Sequence, residues 1–277
     1  MNRHKLGVAL NNNVAAEQIP LIARIGYDSF FIDWDKDFEN LKTFHKKGRE
    51  NGLELTSLHA PFTRVHHLWA AGEEGDAVEA ELARCIEDCA RLEIPVLVSH
   101  PFIGFNDHSP TPYGPLRYRR LGELAQRLGV CVAIENVEGE EYLDALLPNL
   151  RDIPAIGFCL DTGHEQCYNR GRDMLADYGD LLRYVHINSN VGVTDPAGKI
   201  TYRDDAHMLP FDGIADMDFL ARRLVRHGFD GHLTMELRKI NHKERNTNDA
   251  YIPMTDEEFL GEAFRRITRL AEIIEKI

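Results

Sequence analysis

The feature that most constrains the fold is a strand-then-helix alternation that repeats eight times along the chain. Short segments rich in apolar and β-branched residues predict strands, and segments with apolar residues three or four positions apart predict helices. Alternating strands and helices indicate a parallel sheet covered by helices. The predicted strands are Leu6–Leu10, Tyr27–Trp34, Leu53–Leu58, Val96–Ser99, Val130–Ile134, Ile156–Leu160, Leu182–Val185 and His232–Met235.

The number of repeats narrows the architecture further. A chain of 277 residues has room for two small domains or for one α/β barrel, which commonly takes about 250 residues. Eight repeats without a break in composition favour a single domain over residues 1–277, a (β/α)8 TIM barrel. A doubly wound sheet is the alternative, but it usually carries a glycine-rich turn after its first strand, and here three asparagines follow Leu10.

Composition excludes some classes of protein. The formal net charge is −13, which argues against general nucleic-acid affinity without excluding a local basic groove. Neither a secretory signal nor a run of about 20 apolar residues is recognisable, so no membrane association is expected. The five cysteines are odd in number and form no CxxC pair, which predicts reduced thiols and a cytoplasmic setting.

Acidic and imidazole side chains recur at the ends of the predicted strands. Each strand from the third onward ends at or just before one, and the loop after the seventh strand adds a pair. The candidates are His59, His100, Glu135, Asp161 with His164, His186, Glu236, and the loop residues Asp205 and His207. Side chains two positions apart share a face of a strand, so Val98 and Ala133, which precede two of the candidates, are expected in the barrel interior.

This donor set predicts a divalent metal centre. Any one of these residues could have a purely structural role, such as Asp161 capping the next helix. Their recurrence at successive strand ends has no such structural explanation. Imidazole and carboxylate donors suit Mn or Zn, with Co or Fe as alternatives, whereas Ca and Mg prefer oxygen ligands alone. One ion takes about four to six ligands, so the nine candidates fit one ion beside substrate-binding histidines, or a cluster of two or three.

At these residues the chain resembles the xylose isomerase-like TIM-barrel superfamily, which includes sugar-phosphate isomerases and epimerases and AP endonuclease IV. The resemblance covers essentially the whole chain and rests on the order and spacing of seven motifs. They are SLHAPF at 57–62, VSHPF at 98–102, IENVEG at 134–139, LDTGH at 160–164, VHINSN at 185–190, DAHMLPFDG at 205–213 and TMELR at 234–238.

The sugar branch of this superfamily implies one Mn or Zn ion on Glu135, Asp161, His186 and Glu236. The two glutamates would serve as catalytic acid and base on opposite faces of an enediolate. His164, Asn188 and Arg238 are expected to bind substrate, with His59, His100, Asp205 and His207 as further metal or substrate contacts. The resemblance thus predicts a metal-dependent isomerase or epimerase for a small sugar or sugar phosphate.

The endonuclease branch implies three zinc ions on all nine positions and hydrolysis of abasic DNA. Two loops depart from that branch, DTGHEQCYNRG after the sixth strand and DDAHMLPFDGIAD around the Asp-x-His pair. We therefore favour one ion and the sugar branch, with up to three ions and the endonuclease reaction as the alternative. A non-catalytic, metal-dependent sugar-binding protein is a third hypothesis, and a homo-oligomer is compatible with each.

Overall fold

The computed structural model describes residues 4–106 and 109–277. Residues 1–3, in the segment expected to lack a secretory signal, and residues 107–108, in the loop after the fourth strand, lie outside this range. Eight parallel strands form one sheet. They are β1 (Leu6–Ala9), β2 (Ser29–Asp33), β3 (Glu54–His59), β4 (Val96–Ser99), β5 (Cys131–Glu135), β6 (Ile156–Asp161), β7 (Leu182–His186) and β8 (Leu233–Met235).

The helices follow the strands in chain order. The longest of them, α3 and α9, show apolar residues at helical spacing that are buried against the sheet, and a Thr255–Glu258 capping box starts α9. The helices are α1 (Ala15–Ile25), α2 (Phe38–Glu50), α3 (Glu73–Arg91), α4 (Tyr113–Leu128), α5 (Glu140–Leu146), α6 (Thr162–Cys167), α7 (Met174–Tyr178), α8 (Met217–Arg226) and α9 (Asp256–Glu275). Within the described ranges, none combines the length and apolar character of a membrane span.

The strand order is β7-β6-β5-β4-β3-β2-β1-β8, and each strand pairs in parallel with its neighbour. A parallel bridge between Ile187 and Met235 joins the two ends of this sheet, so the barrel is nearly closed. The prediction of a (β/α)8 TIM barrel is confirmed, and the doubly wound alternative is wrong because its sheet would stay open. In a parallel barrel all strands end on the same side, which gathers the residues after each strand at one mouth.

The barrel interior is filled from alternate positions of the central strands. Val96, Val98, Ala133, Cys159 and Tyr184 form a buried cluster separate from the core between sheet and helices. These residues share a strand face with the candidates that follow them, as the two-residue periodicity predicted. The packed interior below the barrel mouth therefore supports the candidate donors from beneath.

The segment after β6 is not one continuous helix. It divides into the short helices α6 and α7. Arg170 and Gly171 adopt left-handed backbone conformations with φ of 55° and 77°, which a continuing α-helix cannot contain. As a result α6 is a short helix that follows directly from the end of β6 at the barrel mouth.

Candidate metal centre

The strand ends bring eight of the nine predicted donors into three overlapping groups. Within each group, one ligand atom per residue lies within 4.8 Å of the others. The groups are His59, His100 and Glu135; Glu135, Asp161, His186 and Glu236; and Asp161, His164 and His207. The ninth predicted donor, Asp205, lies outside these groups but contacts two histidines of the third. Sharing of Glu135 and Asp161 between groups makes the three potential sites contiguous.

Glu135 lies at the centre of this arrangement and is fully buried. Its Oε2 is 3.3 Å from Nε2 of both His59 and His100, and its Oε1 is 3.1 Å from Nδ1 of His186. The same His186 nitrogen is 2.9 Å from Oε2 of Glu236. Since an unpaired buried carboxylate is costly, this cage of imidazoles accounts for Glu135 at the end of an apolar strand.

Asp161 ends β6 and uses both of its oxygens. Oδ1 accepts a hydrogen bond from the backbone N–H of His164 at 2.7 Å and caps α6. Oδ2 accepts one from Nδ2 of Asn188 at 2.8 Å. The capping role considered from the sequence is therefore real, and it coexists with membership of two donor groups.

The Asp-x-His pair after β7 is held by an asparagine that sequence reasoning did not single out. Oδ1 of Asn190 accepts hydrogen bonds from the backbone N–H groups of Ala206 and His207, and its Nδ2 donates to Asp205. Oδ2 of Asp205 then lies 2.8 Å from Nε2 of His207 and 3.3 Å from Nε2 of His164. A long polar loop is thereby fixed against the barrel mouth.

Burial and mutual charge shift the pKa values of these groups in opposite directions. Burial alone raises the pKa of Glu236, but His186 and His207 lower it to about 2. Burial lowers the pKa of His207, but Asp205 and Glu236 raise it to about 9. The pKa of Asp161 rises to about 6, mainly through burial. The cluster therefore holds ionised acids beside protonated imidazoles, the charge pattern that a bound cation replaces.

The surroundings of the imidazoles fit metal binding. Nδ1 of His59 lies 3.0 Å from the carbonyl oxygen of Ala60, and Nδ1 of His164 lies 2.8 Å from that of Asn136. With a metal ion in place of the proton on each Nε2, Nδ1–H would donate to these carbonyls and fix the orientation of the ring, as in metal-binding histidines. Residues of this kind in these positions fit one or more ions of the Mn or Zn class.

A cavity of about 600 Å³ opens beside the donors, a volume in the range of small-molecule sites. Glu236 and His207 line it, so the donor cluster faces the cavity from one side. The predicted substrate residue Arg238 also lines it, as does Asp33, which sequence reasoning missed. The predicted second strand ran through Trp34 and concealed Asp33, although Asp33 is two positions from Phe31 and shares its face.

The other predicted substrate residues lie deeper. His164 is buried among the donors, between Asp161 and Asp205. Asn188 is fully buried, and its only side-chain hydrogen bond within the described residues runs to Asp161. This contact gives Asn188 a positioning role, and its contact with a substrate stays a prediction.

Comparisons with known proteins agree with the fold described above. A xylose isomerase domain protein from Planctomyces limnophilus superposes with a TM-score of 0.76 and 18% identity, over 99% of this chain and 100% of that one. A D-psicose 3-epimerase, solved with D-fructose, gives a TM-score of 0.71 and 16% identity over 98% of this chain and 99% of that chain. At these identities the likeness concerns the fold.

Sequence comparison adds a curated relative, the probable endonuclease 4 of Cenarchaeum symbiosum, 26% identical over 164 residues. The match covers 54% of this chain and 56% of that protein, so the chain spans about half the length of this relative. The family model described as xylose isomerase-like TIM barrel matches residues 19–254. Because this match takes in most of the chain and all nine donors, the protein belongs to the xylose isomerase-like TIM-barrel family.

Proposed function

We propose that this protein is a metal-dependent isomerase or epimerase acting on a small sugar or sugar phosphate. The observation that carries the proposal is the group Glu135, Asp161, His186 and Glu236, which faces a cavity of small-molecule size through Glu236. Sugar epimerases among the structural neighbours support it, since they share the fold over nearly the whole chain. A cytoplasmic setting and a homo-oligomeric state remain part of the proposal.

Two glutamates of the group are suited to proton transfer. Glu236 is 24% exposed and lines the cavity, and at neutral pH it is ionised, which is the form that a general base requires. Glu135 lies within 4.8 Å of it, so both carboxylates reach the same small reacting group. One glutamate would remove a proton from the carbon beside a substrate carbonyl, and the other would return it.

The remaining donors hold these glutamates and the substrate. A divalent ion bound by the four residues would supply Lewis acidity toward the substrate oxygens. His164 would orient a substrate hydroxyl, and Asn188 keeps Asp161 oriented. His59 and His100 fix Oε2 of Glu135, and with Asp205 and His207 they would provide further metal or substrate contacts.

The test is incorporation of deuterium from D2O into a panel of ketoses, aldoses and their phosphates, followed by NMR. Proton abstraction then becomes visible without knowledge of the product. Glu236→Gln keeps the shape of the side chain but removes the proton acceptor, so exchange should fall by about 10²–10⁴-fold with an unchanged melting temperature. Glu257→Gln, an exposed glutamate on α9, is the matched control and should retain full activity. Exchange that survives in Glu236→Gln contradicts the assignment.

Phosphodiester hydrolysis at abasic DNA is the second candidate function. The observation in its favour is that the donors form three contiguous groups, enough for three ions, and endonuclease 4 is a relative. Elemental mass spectrometry of the purified protein separates the two functions. About one ion per chain with deuterium exchange supports the sugar reaction, whereas three zinc ions and incision of an abasic duplex without exchange select hydrolysis.

A further inference from the structure

A positively charged side chain lies unpaired in the wall of the cavity. Arg238 makes no side-chain hydrogen bond or ion pair with any described residue, and its Nε is fully buried without a partner. Only the backbone is engaged, with its N–H donating to the carbonyl of His207 at 2.9 Å and its carbonyl accepting from Asn248. Since buried polar groups are normally satisfied, the guanidinium is left with donors for a ligand.

The nearby acidic groups do not neutralise Arg238. Asp256 lines the same cavity, but its carboxylate accepts from Nζ of Lys239 and from Nε2 of Gln18, each at 3.2 Å. Glu236 is directed to His186 at 2.9 Å. Asp33 also lines the wall and has no described ion pair with Arg238. The carboxylates of Asp256 and Glu236 are therefore engaged by other groups, and neither neutralises the charge of Arg238.

The segment at the start of α1 lies on the same wall. Asn11, Asn13 and Val14 line the cavity, and Val14 occupies the N-cap position without a side-chain hydrogen bond to the helix. The N–H groups of Asn13 and Val14 already donate to Asn11, so this segment contributes the positive end of the helix dipole rather than free backbone donors. An unpaired arginine beside the start of a helix is a favourable position for an anion.

From this arrangement we infer that Arg238 and the start of α1 form an anion subsite, which binds a phosphate or carboxylate group of the substrate. The inference rests on the proposed sugar chemistry and narrows it, because Glu236 lines the same cavity as the subsite. The substrate would then be a small sugar phosphate or sugar acid, rather than a neutral sugar, with its carbonyl end at the glutamates. Arg238 would contribute affinity and orientation, not proton transfer.

The test is calorimetric titration of the purified protein with inorganic phosphate and, separately, with acetate. Arg238→Gln removes the charge and should weaken binding about tenfold or more. Arg238→Lys should give an intermediate loss, because lysine keeps the charge but cannot form the two parallel hydrogen bonds of a guanidinium. Lys243→Gln, which removes one charge from the same loop outside the cavity, is the matched control and should bind as the wild type does. Tighter phosphate binding indicates a sugar phosphate, and tighter acetate binding a sugar acid.

A second variant guards against misfolding of the first. Asn13→Asp places a carboxylate at the start of α1, where it should not lower the melting temperature but should weaken anion binding about two- to fivefold. Phosphate affinity within twofold of wild type in both Arg238→Gln and Asn13→Asp overturns the subsite. Phosphate that binds only at a metal ion would give this result, because neither variant would change its affinity. Arg238-dependent binding without any sugar turnover upholds the subsite and rejects the proposed reaction, so the two failures are distinguishable.

Discussion

Gly163 is the position where one added methyl group should disable the candidate centre without removing any donor. Its ideal Cβ would lie 2.6 Å from Nδ2 of Asn190 and closer still to Oδ1 of Asn188. Asn188 holds Asp161, and Asn190 holds the loop that carries His207. The methyl group of Gly163→Ala would therefore wedge apart the two asparagines that position donors on either side of α6.

The magnitudes separate function from stability. Gly163 is helical, so alanine gains about 1 kcal/mol of helix propensity, while overpacking costs about 1–3 kcal/mol. The net loss is at most about 2 kcal/mol, or a fall in Tm of up to about 8 °C. Displacement of residues that orient metal ligands typically costs about 10–100-fold in metal affinity. We therefore expect a weakened metal site in a folded protein.

The assay is metal affinity by chelator competition, with Tm measured in parallel. Gly261→Ala is the matched control, since Gly261 lies within α9 and its Cβ would meet nothing within 4 Å. It should stabilise the protein by about 0.5–1 kcal/mol and leave metal affinity unchanged. If Gly163→Ala binds metal within twofold of wild type, the asparagines do not position the donors and the reasoning is refuted.

Three further predictions concern charge. Burial lowers the pKa of His207, but Asp205 and Glu236 raise it to about 9, above the unfolded value of about 6.5. The contribution of His207 to the stability of the metal-free protein is therefore full below pH 6.5 and is lost as the pH rises through about 9. Metal binding at pH 7 should release protons, so equal binding enthalpies in buffers of different ionisation enthalpy would contradict this. Arg223 forms a buried two-pronged ion pair with Glu165 at 2.7 and 2.8 Å, so Arg223→Leu should cost about 3–5 kcal/mol in urea unfolding. The double variant Glu165→Leu/Arg223→Leu should recover most of that loss, and an equal loss in the double variant would show that the uncompensated carboxylate is not the cause.

The fold could be predicted because one regularity is repeated in each unit. Every strand is a short, largely apolar segment, and from the third strand onward an acidic or imidazole side chain lies at or just after its carboxyl end, as Glu135 and Asp161 do. Strand periodicity and the common direction of parallel strands then place these ends at one mouth. No long-range information was needed for this step, since it follows from local pattern and topology alone.

The parts that sequence reasoning missed depend on contacts between distant segments. Asn190 is one asparagine among several in a polar stretch, and only its contacts with Asp205 and His207 reveal that it holds the loop. Asp33 was hidden by an uncertain strand boundary. The unpaired state of Arg238 is likewise a statement about all its neighbours, which a linear pattern does not contain.

The closure of the barrel has a consequence for its local dynamics. In the described part of the chain, the Ile187–Met235 bridge is the one strand pairing between β7 and β8, whereas β1 and β8 pair at three positions. This seam is flanked by His186 and Glu236, and a cation held by both would act as a clasp across it. Segments with few backbone pairings open first in native-state hydrogen exchange. The metal would thus stabilise the β7–β8 pairing, where the barrel has the fewest backbone contacts. Loss of the ion would increase local opening at the mouth.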